Sequence, residues 1–192
     1  MSQTTEKLSA QLAALAAEVT RLRDHEEIRQ AMYAYARGVD RGDADLLEPA
    51  FHDDCEDDHG NFRGDKATAL AALAKSAQNP AVTGSVHHLG NILIDWHGDT
   101  ADVETYFMAS QRREQDGRLW TRMRVGRYLD HFVKEKGHWS VKKRQVVDDW
   151  SRLDEVVQTA REVGPDNNHG TRDRSDPSYA IKGFVDSRKT KG

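Results

Sequence analysis

The sequence predicts an α+β domain, with helices first and a curved antiparallel sheet wrapped around them. Three observations carry this. Up to Pro80, apolar residues recur at helical spacing. From Gly84 onward the pattern becomes strand-like. The strand-like stretches are separated only by short turn signals, His97-Gly98-Asp99, Asp116-Gly117 and Lys136-Gly137. Such short connections require antiparallel neighbours. Helices before a meander is an α+β order, and a sheet curved around helices leaves a hydrophobic pocket, the default place for a ligand.

Each element has its own signal. Leu8, Leu12, Leu15, Val19 and Leu22 alternate steps of four and three, one apolar stripe on an alanine-rich helix. The stripe is heptad-like but covers barely two heptads, too short to predict a coiled coil, and is expected to pack on its own domain or on a neighbouring subunit. Asp24-His25-Glu26-Glu27 has capping-box spacing, so a second helix is expected from Asp24, with Ile28, Met32, Tyr35 and Val39 inward. Gly38 and Asp40-Arg41-Gly42-Asp43 end it, and a short helix follows with Leu46, Leu47 and Phe51 inward. A short strand is placed at His52 to Asp58. Asp65 caps a helix to about Gln78, stopped by Asn79-Pro80. Four strands follow: Ser85 to Trp96, Thr100 to Arg113, Leu119 to Lys134 and His138 to Trp150. The apolar pattern fades after Leu153. The expected organisation is an N-terminal helix over 1–23, a domain over 24–153, and a C-terminal arm or flexible tail over 154–192.

Composition narrows the function classes. Of 192 residues, 37% are hydrophobic and 31% charged, with a net charge of -4. No concentrated basic surface is indicated, so nucleic acid is not the expected partner. No stretch approaches the ~20 apolar residues of a membrane span. Glu6, Glu18, Arg21 and Arg23 interrupt any signal-peptide centre. Cys55 is the sole cysteine, which excludes a disulfide within the chain and argues against an oxidising compartment. A cytoplasmic location is expected. His52, Asp53, Asp54, Asp57, Asp58 and His59 match no closed zinc spacing and read as a solvated acidic edge, so no metal is expected. There is no phosphate loop, nucleophile elbow or dinucleotide fingerprint.

Six segments in order resemble a known family. They are Glu27-Ile28; Tyr35 to Asp43; His88-Leu-Gly-Asn91-Ile-Leu-Ile; Gly98 to Tyr106; Gly126-Arg-Tyr128-Leu-Asp130; and Trp139 to Arg144. Together they resemble the SnoaL-like branch of the nuclear-transport-factor-two-like superfamily across roughly residues 20 to 150. That resemblance implies a cone-shaped fold, often assembled as a trimer. It implies enzymes that work without a cofactor on hydrophobic, often aromatic or polycyclic substrates: dehydratases, a dehydrochlorinase, cyclases and a formaldehyde-releasing lyase. It also includes non-catalytic binders and dioxygenase small subunits, so fold alone does not fix function.

The resemblance implies an aspartate at the end of the long helix and a histidine on the first long strand. Asp40 matches the aspartate. Adjacent strand residues face opposite sides, so only one of His87 and His88 enters the pocket. The distance from His88 to Asp95 favours His88; a register through Asn91 selects His87. An imidazole can move protons at neutral pH, and a buried carboxylate beside it fixes its tautomer. Tyr35 matches a family tyrosine that would hold a substrate oxygen, although residues five apart on a helix point about 140° apart. The expected catalytic set is therefore Asp40, His88 and Tyr35, with His87, Tyr106, Met108 and Arg144 contacting substrate. Family partners are missing: a histidine would stand near Thr105, a tyrosine near Asp58 and an arginine near Asp148. The expected activity is lyase chemistry on a hydroxylated aromatic or polycyclic compound, by dehydration or loss of formaldehyde. Isomerase or cyclase chemistry, or ligand binding without turnover, would use the same parts.

Overall fold

The computed structural model describes residues 3–181. Helix α1 spans Gln3–Arg41, α2 spans Ala44–Leu47, and a 3-10 turn covers Glu48–Ala50. Strands β1 (Phe51–Asp58) and β2 (Arg63–Asp65) precede α3 (Lys66–Gln78). Four long strands then run as β3 (Val82–Trp96), β4 (Thr100–Gln115), β5 (Arg118–Glu135) and β6 (His138–Glu155). A short α4 (Ala160–Val163) and a 3-10 turn (Pro177–Ala180) close the described chain. Residues 182–192, the end of the expected arm, lie outside the described residues.

The sheet has six strands in the order β2-β1-β6-β5-β4-β3. The antiparallel meander β3 to β6 is as expected. Both two-residue turns use positive φ throughout, Asp116 with Gly117 and Lys136 with Gly137. This is the backbone twist that matches tight hairpins. The N-terminal strand pairs out of sequence order. β1 lies parallel to β6 and carries the short β2 at the sheet edge. No turn signal announces that pairing, because the partner strand is far along the chain.

The expected break at Asp24 does not occur: α1 is one helix of 39 residues. Nothing between Leu22 and Ile28 is a helix breaker. The Asp24 carboxylate is turned inward instead, only 1% exposed. It accepts hydrogen bonds from Lys134 Nζ (2.6 Å), Trp139 Nε1 (3.0 Å) and Trp96 Nε1 (3.2 Å). Burial alone would raise its pKa, but these donors outweigh it and hold the carboxyl below the usual range. From Asp24 on, α1 turns Ile28, Met32 and Tyr35 into the core against Phe107, Phe132 and Trp139. Before Asp24 it stands off the domain, with residues 3–20 all exposed.

α1 runs through Gly38 to Arg41 without a break. A Cβ at Gly38 would sit 2.8 Å from the Leu47 side chain, so the bare Cα is what lets α2 fold back so tightly. Asp65 caps α3 by accepting from the Thr68 amide (2.9 Å), as its position predicts. The segment after α4 returns to the end of α1. Tyr179 Oη donates to Asp43 Oδ2 (2.7 Å), and Arg174 Nη2 donates to Asp43 Oδ1 (3.0 Å). Arg37 Nη1 donates to Ser178 Oγ (3.1 Å), and Arg172 Nη1 reaches the Val82 carbonyl (3.1 Å).

Candidate functional site

Asp40 occupies the last turn of α1, and β3 crosses beside it. Ser85, His87 and Leu89 alternate toward the helix, while Val86 and His88 are exposed on the other side. Three donors converge on the Asp40 carboxylate. Ser85 Oγ donates to Oδ1 (2.9 Å), the His87 amide to Oδ2 (2.8 Å), and the His87 ring contacts Oδ1 through Nδ1 (2.7 Å). Burial pushes the Asp40 pKa up, but the His87 ring and amide and the Ser85 hydroxyl outweigh it, and the carboxyl lies below its ordinary value. Asp40 is thus an anion, and Nδ1 of His87 carries the proton facing it. Nε2 of His87 has, among the described residues, no hydrogen-bond partner. The dyad lines a pocket of about 290 Å³ with Tyr33, Arg37, Arg41 and Leu89.

His87 therefore takes the place expected for His88. The reason is a register shift in β3 between Leu89 and Ile92. Beyond it the inward residues are Ile92, Ile94 and Trp96; before it they are Ser85, His87 and Leu89. The His88-to-Asp95 distance that favours His88 spans this bulge and joins two exposed residues, whereas the register through Asn91 selects His87, the residue found here.

The other expected residues are not brought to this pocket. Tyr35 faces the core, where its hydroxyl lies 3.0 Å from Nε2 of His59. Burial raises its pKa to about 12. His59 in turn contacts the Asp57 carboxylate through Nδ1 and stacks on Phe62. Asp57 and His59 are buried, not part of a solvated edge. Cys55 and Asp57 stand two apart and face inward together, while Asp53, in phase with them, is exposed, because the strand is irregular between Phe51 and Glu56. Cys55 is a core thiol whose pKa burial pushes up to about 12. Tyr106 and Met108 are exposed on the outer sheet face, opposite the inward Thr105 and Phe107. Arg144 is fully buried and paired with Asp130. Asp148 is engaged by Arg124 in a bidentate pair on the surface.

A larger hollow of about 590 Å³ lies on the outer sheet face, beside Leu93, Leu129, His131 and Lys143. It also has a histidine–carboxylate contact, His131 Nδ1 to Asp102 Oδ1 at 2.7 Å. Both of those side chains are exposed, so water screens the pair. The smaller pocket has the partly buried dyad and is the better candidate despite its size. Among the described residues, no group of three or more His, Cys, Asp or Glu side chains is arranged to hold a metal ion. No described helix is long and apolar enough to cross a membrane.

Comparison with known proteins agrees with this architecture. A proposed scytalone dehydratase from Novosphingobium aromaticivorans is 26% identical in sequence, with a TM-score of 0.63 over 77% of this chain and 97% of that one. A hexachlorocyclohexane dehydrochlorinase, LinA type 2, is 16% identical, with a TM-score of 0.66 over 74% of this chain and 97% of that one. The beta subunit of a proposed aromatic-ring-hydroxylating dioxygenase from N. aromaticivorans is 20% identical, with a TM-score of 0.55 over 69% and 94%. Below 25% identity such likeness speaks for the fold alone. No curated protein matches the chain in sequence. The SnoaL-like domain model matches residues 20–145, the stretch that holds the α1–β3 dyad, and the chain belongs to that family.

Proposed function

We propose that the protein is a cofactor-independent lyase in which His87 is the general base and Asp40 orients it. The observation that supports this most is the partly buried Asp40–His87 contact of 2.7 Å beside a pocket, with Nε2 unengaged by the described residues. In this reading Nε2 removes a proton next to a carbon–oxygen or carbon–carbon bond that then breaks. Asp40 stabilises the imidazolium so formed. A departing oxygen needs a donor, and Tyr33, Arg37 and Arg41 line the same pocket. Dehydration and loss of formaldehyde both fit this chemistry.

The pocket of about 290 Å³ suits a compound of one or two rings, and Leu89 supplies an apolar wall. The relative at 26% identity supports a hydroxylated aromatic substrate. On this reading the protein is a homo-oligomer, as the family resemblance implies, and cytoplasmic, which its single cysteine supports. Tyr35 and Arg144 serve the core beneath the site rather than the chemistry.

The test is turnover on a panel of hydroxylated aromatics, comparing the wild-type protein with His87→Ala and His88→Ala. Loss in His87→Ala with retention in His88→Ala supports the reading; undiminished turnover in His87→Ala rejects it. Turnover that disappears after dialysis against a chelator would reject cofactor independence.

A further inference from the structure

The first half of α1 has an apolar stripe that its own domain does not cover. Leu8, Leu12, Leu15, Val19 and Leu22 are between 46% and 61% exposed, and the helix is unbroken to Arg41, so the stripe cannot fold back onto the sheet. A helix gains most of its stability by packing an apolar face. Here that face is open over about four turns.

The stripe has a self-complementary pattern. Its steps place Leu8, Leu15 and Leu22 at heptad position d, and Leu12 and Val19 at position a. Of the two a positions Val19 is β-branched, which with leucine at d favours two strands at that layer; Leu12 occupies the other. The flanking positions are Gln11 and Glu18 at g, and Ser9, Ala16 and Arg23 at e. In a parallel pair each g residue faces the e residue five places further along the other helix. Glu18 then faces Arg23 of the second copy, twice by symmetry. An antiparallel pair sets g against g and e against e, and neither set contains opposite charges. Within one copy Glu18 pairs with Arg21 on the solvent side of the same helix (2.6 Å), a contact that the pair with Arg23 of the second copy would replace or share.

We propose that residues 5–23 of two copies form a short parallel coiled coil, closed by Leu12, Leu15, Val19 and Leu22 and oriented by Glu18–Arg23 pairs. The interface lies outside the Asp40 pocket and does not depend on the catalytic reading.

Sedimentation of the full chain over a range of concentrations tests this, with variants confined to the exposed half of α1. Leu12→Glu/Leu15→Glu should weaken self-association at least about tenfold, since it buries charge at two central layers. Glu18→Lys and Arg23→Glu should each weaken it, and the combined swap should restore it. Leu22→Cys should cross-link to its own counterpart under oxidation, because parallel d layers bring the two Cα atoms within disulfide reach; Cys55 is buried and does not compete. A chain that stays monomeric overturns the proposal. So does an assembly unchanged by Leu12→Glu/Leu15→Glu, which would point to the outer sheet face. Failure of both the charge swap and the Leu22→Cys link would place the stripe against some other surface.

Discussion

Arg144 grips Asp130 through two parallel hydrogen bonds of 2.7 Å, Nε to Oδ1 and Nη2 to Oδ2, with neither side chain accessible to solvent. The guanidinium also lies 4.2 Å over the Tyr35 ring and 4.6 Å over the Tyr128 ring. Burial alone would lower the Arg144 pKa, but Asp130 more than offsets that and keeps it charged. Breaking such a pair strands a charge in the core. Arg144→Met should cost about 3–5 kcal/mol of stability. Arg144→Met/Asp130→Leu should cost less than Arg144→Met alone, as measured by chemical denaturation. Equal or larger loss in the double variant would contradict the pair's role.

Tyr35→Phe separates core from chemistry. It removes the hydroxyl that meets His59 and keeps the ring contacts with Phe51 and Tyr128. The expected loss is about 1–3 kcal/mol, the range for leaving a buried partner unsatisfied. Turnover per folded molecule should stay within about threefold of wild type, well short of the 10²–10⁴ that a general acid or base contributes. A larger fall in kcat with unchanged stability would return Tyr35 to the reaction.

Asp40 links acid stability to the site. Its folded pKa is depressed from 3.8, so the unfolded chain holds the proton more tightly than the folded one. The stabilisation is therefore present above the unfolded value and is lost as pH falls through the folded one. Asp40→Asn should flatten the acid limb of the stability–pH curve below about pH 4. It should also lower kcat, because an amide can present its NH₂ to Nδ1 and reverse the tautomer; His87 ring signals in an NMR titration would report that change. An acid limb identical to wild type would contradict the linkage.

The C-terminal arm clamps the end of α1. Truncation after Gly170 removes the contacts of Tyr179 and Arg174 with Asp43 and that of Arg172 with Val82. Amide exchange at residues 38–43 should then accelerate at least about tenfold, the equivalent of ~1.4 kcal/mol of local stability. Unchanged exchange would mean the arm only rests there.

The fold is legible because a helical period gives way to strand-like stretches joined by three turn signals, and local bulges do not hide that change. The site was half legible. Asp40 follows from its place at the helix end, but the distance to Asp95 points to His88 and the register through Asn91 to His87, and nothing local reveals the bulge between Leu89 and Ile92 that separates the two. Asp24 misled for another reason. Its spacing to Glu27 fits a cap, yet its actual partners, Trp96, Lys134 and Trp139, lie on three different strands. Long-range partners of a polar side chain are invisible to local pattern. The same blindness hid the parallel pairing of β1 with β6 and the Tyr35–His59 contact.

Asp24 also bears on the order of folding. Its partners are 72, 110 and 115 residues further along the chain. Until the ends of β3, β5 and β6 have met, docking α1 would bury a carboxylate without donors. Contacts of such separation close late, because the loop entropy must be met first. The helix can therefore form early but seat only on a finished sheet, which couples the two halves of the domain into one cooperative step.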